Sequence, residues 1–298
     1  GAFRRGANMG MMSVGHPDIL RFLHAKQNLQ EFTNFNVSVK ITDAWMDEVL
    51  ESDKTPHVVT NPRTDQKYLL PRRIDIANYT ISDLVELVDA DDSVTKKASK
   101  CYTVGDIWNM IVQCAHRTGE PGAVFIDRVN RDNPTPSLGA IEATNPCGEQ
   151  PLLPYEACTL GSVNLARFVV GTEAGPDMDW PRLAETVRLA VRFLDNTVDA
   201  CEYPIEEATN LAQANRKIGL GVMGFADCLF ARRIAYDSDQ GVEFGAKLMK
   251  FINDNARQAS AELAGLRGPF PNWSGSIWQT KYDKEVRNAA LTCVAPTG

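Results

Sequence analysis

The sequence predicts an α/β protein with a buried, largely parallel sheet, and three observations carry that expectation. Helical hydrophobic periodicity recurs along the chain, and short apolar runs of strand length fall between the helical stretches. Of the 298 residues, 44% are apolar and 23% charged, a balance that supports a sizeable core and excludes a disordered chain.

Taken in order, a first helix is expected from Asp18 to Gln27, entered through His16-Pro17, and a second from Asp43 to Leu50. Between them a loop from Asn28 leads into the alternating strand Asn36 to Lys40. The polar stretches 51–79 and 86–99 read as surface excursions. Thr103-Val104-Gly105-Asp106 spells a capping box that opens a helix to about His116, and a glycine-rich turn then leads into the apolar strand Ala123 to Ile126. Pro181 starts a long amphipathic helix to about Cys201, and another runs from Asp239 to Ala264. No repeat, low-complexity tract or interdomain linker interrupts the chain, so residues 1–298 read as one continuous core.

The formal charge of -7 argues against a nucleic-acid binder, which needs a basic face to displace phosphate counterions. Free nucleotides need only a local pocket. No apolar run is long enough for a membrane span, and the start, Gly1-Ala2-Phe3-Arg4-Arg5, lacks a signal-peptide core, so a cytoplasmic location is expected. Seven cysteines without CxxC spacing indicate neither a disulfide scaffold nor a zinc ribbon. The four histidines (16, 24, 57 and 116) read as surface or loop residues, and no metal site is expected. The chain lacks an initial Met and stops at Ala295-Pro296-Thr297-Gly298, so it reads as a fragment cut at both ends.

The most informative segment is Ala143-Thr144-Asn145-Pro146-Cys147-Gly148-Glu149-Gln150-Pro151. An amide, a thiol and a carboxyl group sit two residues apart at Asn145, Cys147 and Glu149. Two prolines and a glycine exclude a helix, which leaves a tight loop able to thrust one thiol into a cavity. An Asn-x-Cys-x-Glu run taken alone is more often a surface loop with an incidental cysteine. The continuation, Leu152 through Tyr155-Glu156-Ala157-Cys158-Thr159-Leu160-Gly161-Ser162-Val163-Asn164-Leu165, narrows the reading.

This stretch resembles the class II, adenosylcobalamin-dependent ribonucleotide reductases. The resemblance continues through Arg216-Lys217-Ile218-Gly219-Leu220-Gly221-Val222-Met223-Gly224-Phe225-Ala226-Asp227 and Arg287-Asn288-Ala289 to Pro296-Thr297-Gly298. It implies part of a ten-stranded α/β barrel whose central finger loop, residues 143–151, bears the radical cysteine. Class I large subunits usually read Asn-Leu-Cys-x-Glu where this chain has Asn145-Pro146-Cys147-Gly148-Glu149. A class I large subunit remains the nearest alternative, and a catalytically incomplete nucleotide-binding fragment is the other.

By that resemblance, Cys147 becomes a thiyl radical that abstracts the ribose 3'-hydrogen, in a site where the thiol is shielded from water. Glu149 is the general base on the 3'-hydroxyl, and Asn145 holds the hydroxyls. Cys158 is one member of the redox cysteine pair; the other lies upstream of the equivalent of Gly1, so the fragment alone is expected to be inactive. The five remaining cysteines read as packing residues. Pro296, Thr297 and Gly298 begin a loop for the substrate phosphates. Gln30, Glu31, Phe32, Thr33, Asn34, Phe35 and Asn36, within the loop 28–36, occupy the place of the specificity loop that links an allosteric nucleotide to base choice. The implied partners are a ribonucleotide, most often a diphosphate, a deoxynucleotide or ATP effector, a thioredoxin- or glutaredoxin-type reductant, and a second copy in a homodimer. The implied cofactor is adenosylcobalamin.

Overall fold

The computed structural model describes residues 6–87, 98–173 and 175–297, which fall into two compact units, Gly1–Arg131 and Asp132–Gly298. In the first, β1 (Asn8–Ser13), α1 (Ile19–His24), β2 (Phe35–Ile41) and α2 (Asp43–Glu51) precede three short strands, β3 (Val58–Thr60), β4 (Lys67–Leu69) and β5 (Val85–Glu86). Then follow α3 (Val104–Thr118), β6 (Gly122–Phe125) and α4 (Ile126–Arg131). β1, β2 and β6 form a parallel sheet in that order, as the sequence predicts, and β3, β4 and β5 form an antiparallel one. The capping box is present: Thr103 Oγ1 accepts from the Asp106 amide at 3.2 Å, and Asp106 Oδ2 accepts from the Thr103 amide at 2.8 Å.

Two expectations for this unit fail. The stretch 51–79 is not a surface excursion, because Val59, Leu69, Leu70 and Tyr79 are buried and the Tyr79 hydroxyl donates to the Pro17 carbonyl at 2.7 Å. Its strands are three residues long, too short for a period of two to stand out among polar neighbours. His57 is a core residue, fully buried. Trp45 Nε1 donates to its Nδ1 at 3.1 Å, so its Nε2 carries the proton and donates to the Val14 carbonyl at 3.0 Å. Burial pushes its pKa down to about 4.

The second unit runs β7 (Ala143–Thr144), β8 (Pro151–Leu152), β9 (Thr159–Asn164), β10 (Val169–Thr172), β11 (Gly175–Met178), α5 (Trp180–Ala200) and α6 (Glu206–Asn215). β12 (Ile218–Met223), α7 (Phe225–Ala231), α8 (Asp239–Arg267) and α9 (Ile277–Thr280) complete it. β9 and β12 pair in parallel, and Thr292 adds a parallel bridge at Leu220. In α5 the residues Leu183, Val187, Val191, Leu194 and Val198 form one apolar stripe, buried together with Ile218 and Leu220 of β12 and Leu248, Ile252 and Ala256 of α8. Each such Leu, Ile or Val side chain contributes about 1.5–3 kcal/mol on burial. Among the described residues the parallel strands do not close into a barrel.

Candidate active site

The loop bearing Cys147 is a short hairpin. Ala143 pairs with Leu152 and Thr144 with Pro151, and the Asn145 amide donates to the Gln150 carbonyl at 3.2 Å. Asn145 Oδ1 accepts from the Gln150 amide at 3.0 Å, and the Asn145 carbonyl accepts from Gly148 at 3.0 Å. Gly148 turns the chain with φ +85°, a left-handed conformation that a side chain would strain, and its α-carbon faces open space. Asn145 thus spends its side-chain oxygen on closing the hairpin. Its amide nitrogen remains to orient a ligand.

At the hairpin tip Cys147 is exposed, where a shielded thiol was expected. The physical reason is that this unit backs the hairpin at one end only. Gln150 is buried against β12, while nothing lies within 4 Å of the position a side chain at 148 would take. Glu149 is half-buried, and its Oε2 is buried with no hydrogen-bond partner. A carboxylate oxygen taken from water without a replacement donor is costly, so it marks where a ligand hydroxyl fits.

Beneath the hairpin, β12 presents Gly219. A β-carbon there would lie 2.4 Å from Gln150 Nε2, 2.5 Å from Leu160 Cδ2 and 2.8 Å from Cys293 Sγ, so only glycine lets the three groups converge. The Gln150 side chain hydrogen-bonds the Cys293 sulfur. Cys293 is therefore no mere packing residue. Its thiol is pushed up by burial, held down by the Gln150 bond and pushed up again by the Glu149 charge. The signal that could have found it is the alternation Gly219-Leu220-Gly221 inside a strand, which marks a close approach over one face. Cys201 is exposed rather than packed because it follows the last turn of α5, whereas Cys101, Cys114 and Cys228 are buried as expected.

Cys158 precedes β9 and is half-buried. Burial, then the neighbouring Cys293, pushes its thiol up to about 12, with smaller upward pushes from Glu156 and Glu149 and a downward one from Lys217. It is a protonated thiol at neutral pH. The structure thus brings Glu149, Gln150, Cys158 and Cys293 into one neighbourhood, with Cys147 at its exposed edge.

Thr297 lies beside the far end of β12. Its hydroxyl donates to the Val222 carbonyl at 3.4 Å, and it lines a cavity of about 580 Å³ with Met223, Phe225, Tyr236 and Met249. Among the described residues that lining holds Asp227 and no Lys or Arg. Pro296 is exposed, and Gly298 lies outside the described residues. In the first unit, residues 28–36, including Gln30, Glu31, Phe32, Thr33, Asn34, Phe35 and Asn36, are all exposed. Lys26 pins the base of this loop, donating to the carbonyls of Phe32 at 3.0 Å and Phe35 at 2.7 Å and pairing with Glu120 at 3.2 Å.

These features define a class, an α/β unit whose hairpin carries an exposed thiol beside an unpartnered buried carboxyl oxygen and two further cysteines. The family described as "Ribonucleotide reductase, barrel domain" matches residues 1–292, and the chain belongs to it. Within that family the chain is 43% identical, over its whole length, to proteins from Thermoplasma acidophilum and Mycobacterium tuberculosis, each named vitamin B12-dependent ribonucleoside-diphosphate reductase. It spans 34% and 38% of those proteins, about a third of their length. A ribonucleoside-diphosphate reductase subunit alpha from Chlamydia trachomatis is 38% identical over 58% of the chain, which covers 16% of that subunit. The solved Actinobacillus ureae class Id ribonucleotide reductase alpha subunit matches with TM-score 0.68 at 22% identity, across 97% of this chain and 45% of that one, and supports the fold.

Proposed function

We propose that this chain is the thiol-bearing part of an enzyme that reduces ribonucleoside diphosphates to 2'-deoxyribonucleotides, with adenosylcobalamin as its radical source. The observation that carries the reading is Glu149 Oε2, buried without a partner two residues from a hairpin-tip thiol. Similarity over the whole of this chain to the vitamin B12-dependent proteins favours this reading over a class I large subunit; the Chlamydia trachomatis subunit alpha is similar over 58% of the chain.

The Cys147 thiyl radical takes the ribose 3'-hydrogen, and Glu149 accepts the 3'-hydroxyl proton at its unpaired oxygen. Asn145 offers its amide N–H groups to the same hydroxyls. Loss of the 2'-hydroxyl as water leaves an intermediate that needs two electrons. Cys158 and a cysteine outside this chain supply them by forming a disulfide, and Cys147 regains its hydrogen. Burial keeps Cys158 protonated until it is needed. The exposed Cys147 thiol fits a bulky radical source arriving from outside the unit. Adenosylcobalamin, when bound, provides the carbon radical that removes the thiol hydrogen.

Thr297 and Pro296 contribute to the substrate phosphate loop, and residues 28–36 respond to a deoxynucleotide or ATP effector. A thioredoxin- or glutaredoxin-type dithiol restores the disulfide, and the enzyme acts as a homodimer in the cytoplasm. No described helix is long and apolar enough to cross a membrane. The test is adenosylcobalamin-dependent deoxyribonucleotide formation by the full-length protein. Cys147→Ala is expected to show none, and Cys158→Ser at most one turnover without an added small thiol. Normal turnover by Cys147→Ala overturns the assignment.

A further inference from the structure

The start of β12 holds a buried ion pair that the mechanism above does not use. Lys217 Nζ lies 2.6 Å from Glu156 Oε2, with side chains 2% and 0% exposed. The same Oε2 accepts from the Leu153 amide at 2.9 Å, and Oε1 accepts from Asn215 Nδ2 at 2.6 Å. Asn215 in turn accepts from Asn272 Nδ2 at 2.8 Å, and its carbonyl accepts from the Ala289 amide at 3.0 Å. Both oxygens of the Glu156 carboxylate, accepting three hydrogen bonds between them, therefore hold the turn Leu153–Glu156 against the end of α6 and the start of β12. Cys158 leaves that turn two residues later. The register that sets Thr159 beside Ile218 brings Cys158 alongside Lys217.

We propose that Lys217 and Glu156 act as one unit that positions the Cys158 thiol, locking the turn that presents it and letting neither charge act on the sulfur unopposed. The proposal rests on the role given above to Cys158, although its test does not. A lone buried ammonium beside a thiol favours the thiolate, and a lone buried carboxylate opposes it. Lys217 pulls the Cys158 thiol down, and Glu156 pushes it up. The other ionisable groups facing the sulfur are Cys293, Glu149 of the hairpin and Tyr203, whose side chain bonds Thr159. None of these changes when the pair is altered.

Opposite responses to removing the two charges distinguish this role from simple support of the fold. The measurement is the rate at which iodoacetamide alkylates Cys158 in the full-length protein, followed by peptide mass spectrometry between about pH 7 and pH 10. Glu156→Gln is expected to raise the rate about tenfold and Lys217→Met to lower it about tenfold, one pKa unit in each direction. Lys217→Arg and the double variant Lys217→Met/Glu156→Gln should stay within about threefold of the unaltered protein. A turn that merely loosens exposes the thiol and speeds alkylation in both single variants, and that result overturns the proposal, as does no change in either. Should a single variant fail to fold, the double variant and Lys217→Arg decide, and a tenfold change in either counts against the pair. If Cys158→Ser still turns over repeatedly, the role of Cys158 fails while opposite alkylation shifts still support the pair.

Discussion

Replacing Gly219 with alanine tests whether β12 shapes the hairpin. The added methyl would stand 2.4 Å from Gln150 Nε2, where ordinary contact begins at 3.4 Å, so Gln150 must retreat by about 1 Å. The Gln150 side chain is buried and has little room to swing aside, because the same methyl meets Leu160 Cδ2 at 2.5 Å and Cys293 Sγ at 2.8 Å. The Gln150 backbone closes the loop that carries Cys147 and Glu149. Overpacking of this kind costs about 1–3 kcal/mol, which should lower the urea midpoint of the full-length protein with its slope unchanged. A displacement of about 1 Å at the reacting groups should also lower deoxyribonucleotide formation by about 100-fold. Gly161→Ala is the control: its methyl points to the other face of the same sheet, 3.3 Å from Leu194 Cδ2, and touches no hairpin residue. It should keep near-normal activity at a small stability cost. Equal activity in Gly219→Ala and the parent, or an equal loss in Gly161→Ala, refutes the idea that glycine 219 serves the hairpin.

His57 should make the first unit acid-sensitive. The unfolded chain binds a proton at the ordinary histidine pKa of 6.5 and the folded chain only near 4, so stability falls as pH drops through that window, by up to about 3 kcal/mol. Urea unfolding from pH 7 to 4.5 should show that slope, and His57→Gln should flatten it; an unchanged slope in the variant places the acid response elsewhere. Asp195 is fully buried and accepts from Arg216 Nε at 2.8 Å, Asn288 Nδ2 at 3.0 Å and Arg267 Nη1 at 3.2 Å. Asp195→Ala should therefore cost about 3–5 kcal/mol by leaving buried donors unpaired. Asp199→Ala, from the half-exposed carboxylate on the same Arg216, should cost under about 1 kcal/mol, and equal losses in thermal denaturation would show that burial does not set the difference.

What could be read from sequence was local. The two long helices α5 and α8 came from a 3.6-residue apolar period sustained over many turns, and the α3 start from a four-residue capping motif. The tight loop at 143–151 followed from two prolines and a glycine packed into nine residues, but its pairing as a hairpin did not. What escaped depends on chain crossings that leave no period. His57 looked like a loop histidine until Trp45 and Val14, twelve and forty-three residues away, closed around it. Cys293 looked like a small apolar filler because its place beside Gln150 follows from a bridge between Leu220 and Thr292. Lys217 and Glu156, sixty-one residues apart, carry opposite charges with no motif to join them. A buried charge costs several kcal/mol unless its partner is in place. The clue that was available is therefore negative: Lys217 sits immediately before the strand Ile218–Met223, which is apolar or glycine throughout, where a lysine survives only if something answers it. Gly219 and Gly221 in the same strand likewise imply chain lying on the face they leave bare. Two segments are found there: the end of the thiol-bearing hairpin at Gln150 over Gly219, and the backbone of Cys293 to Ala295 over Gly221.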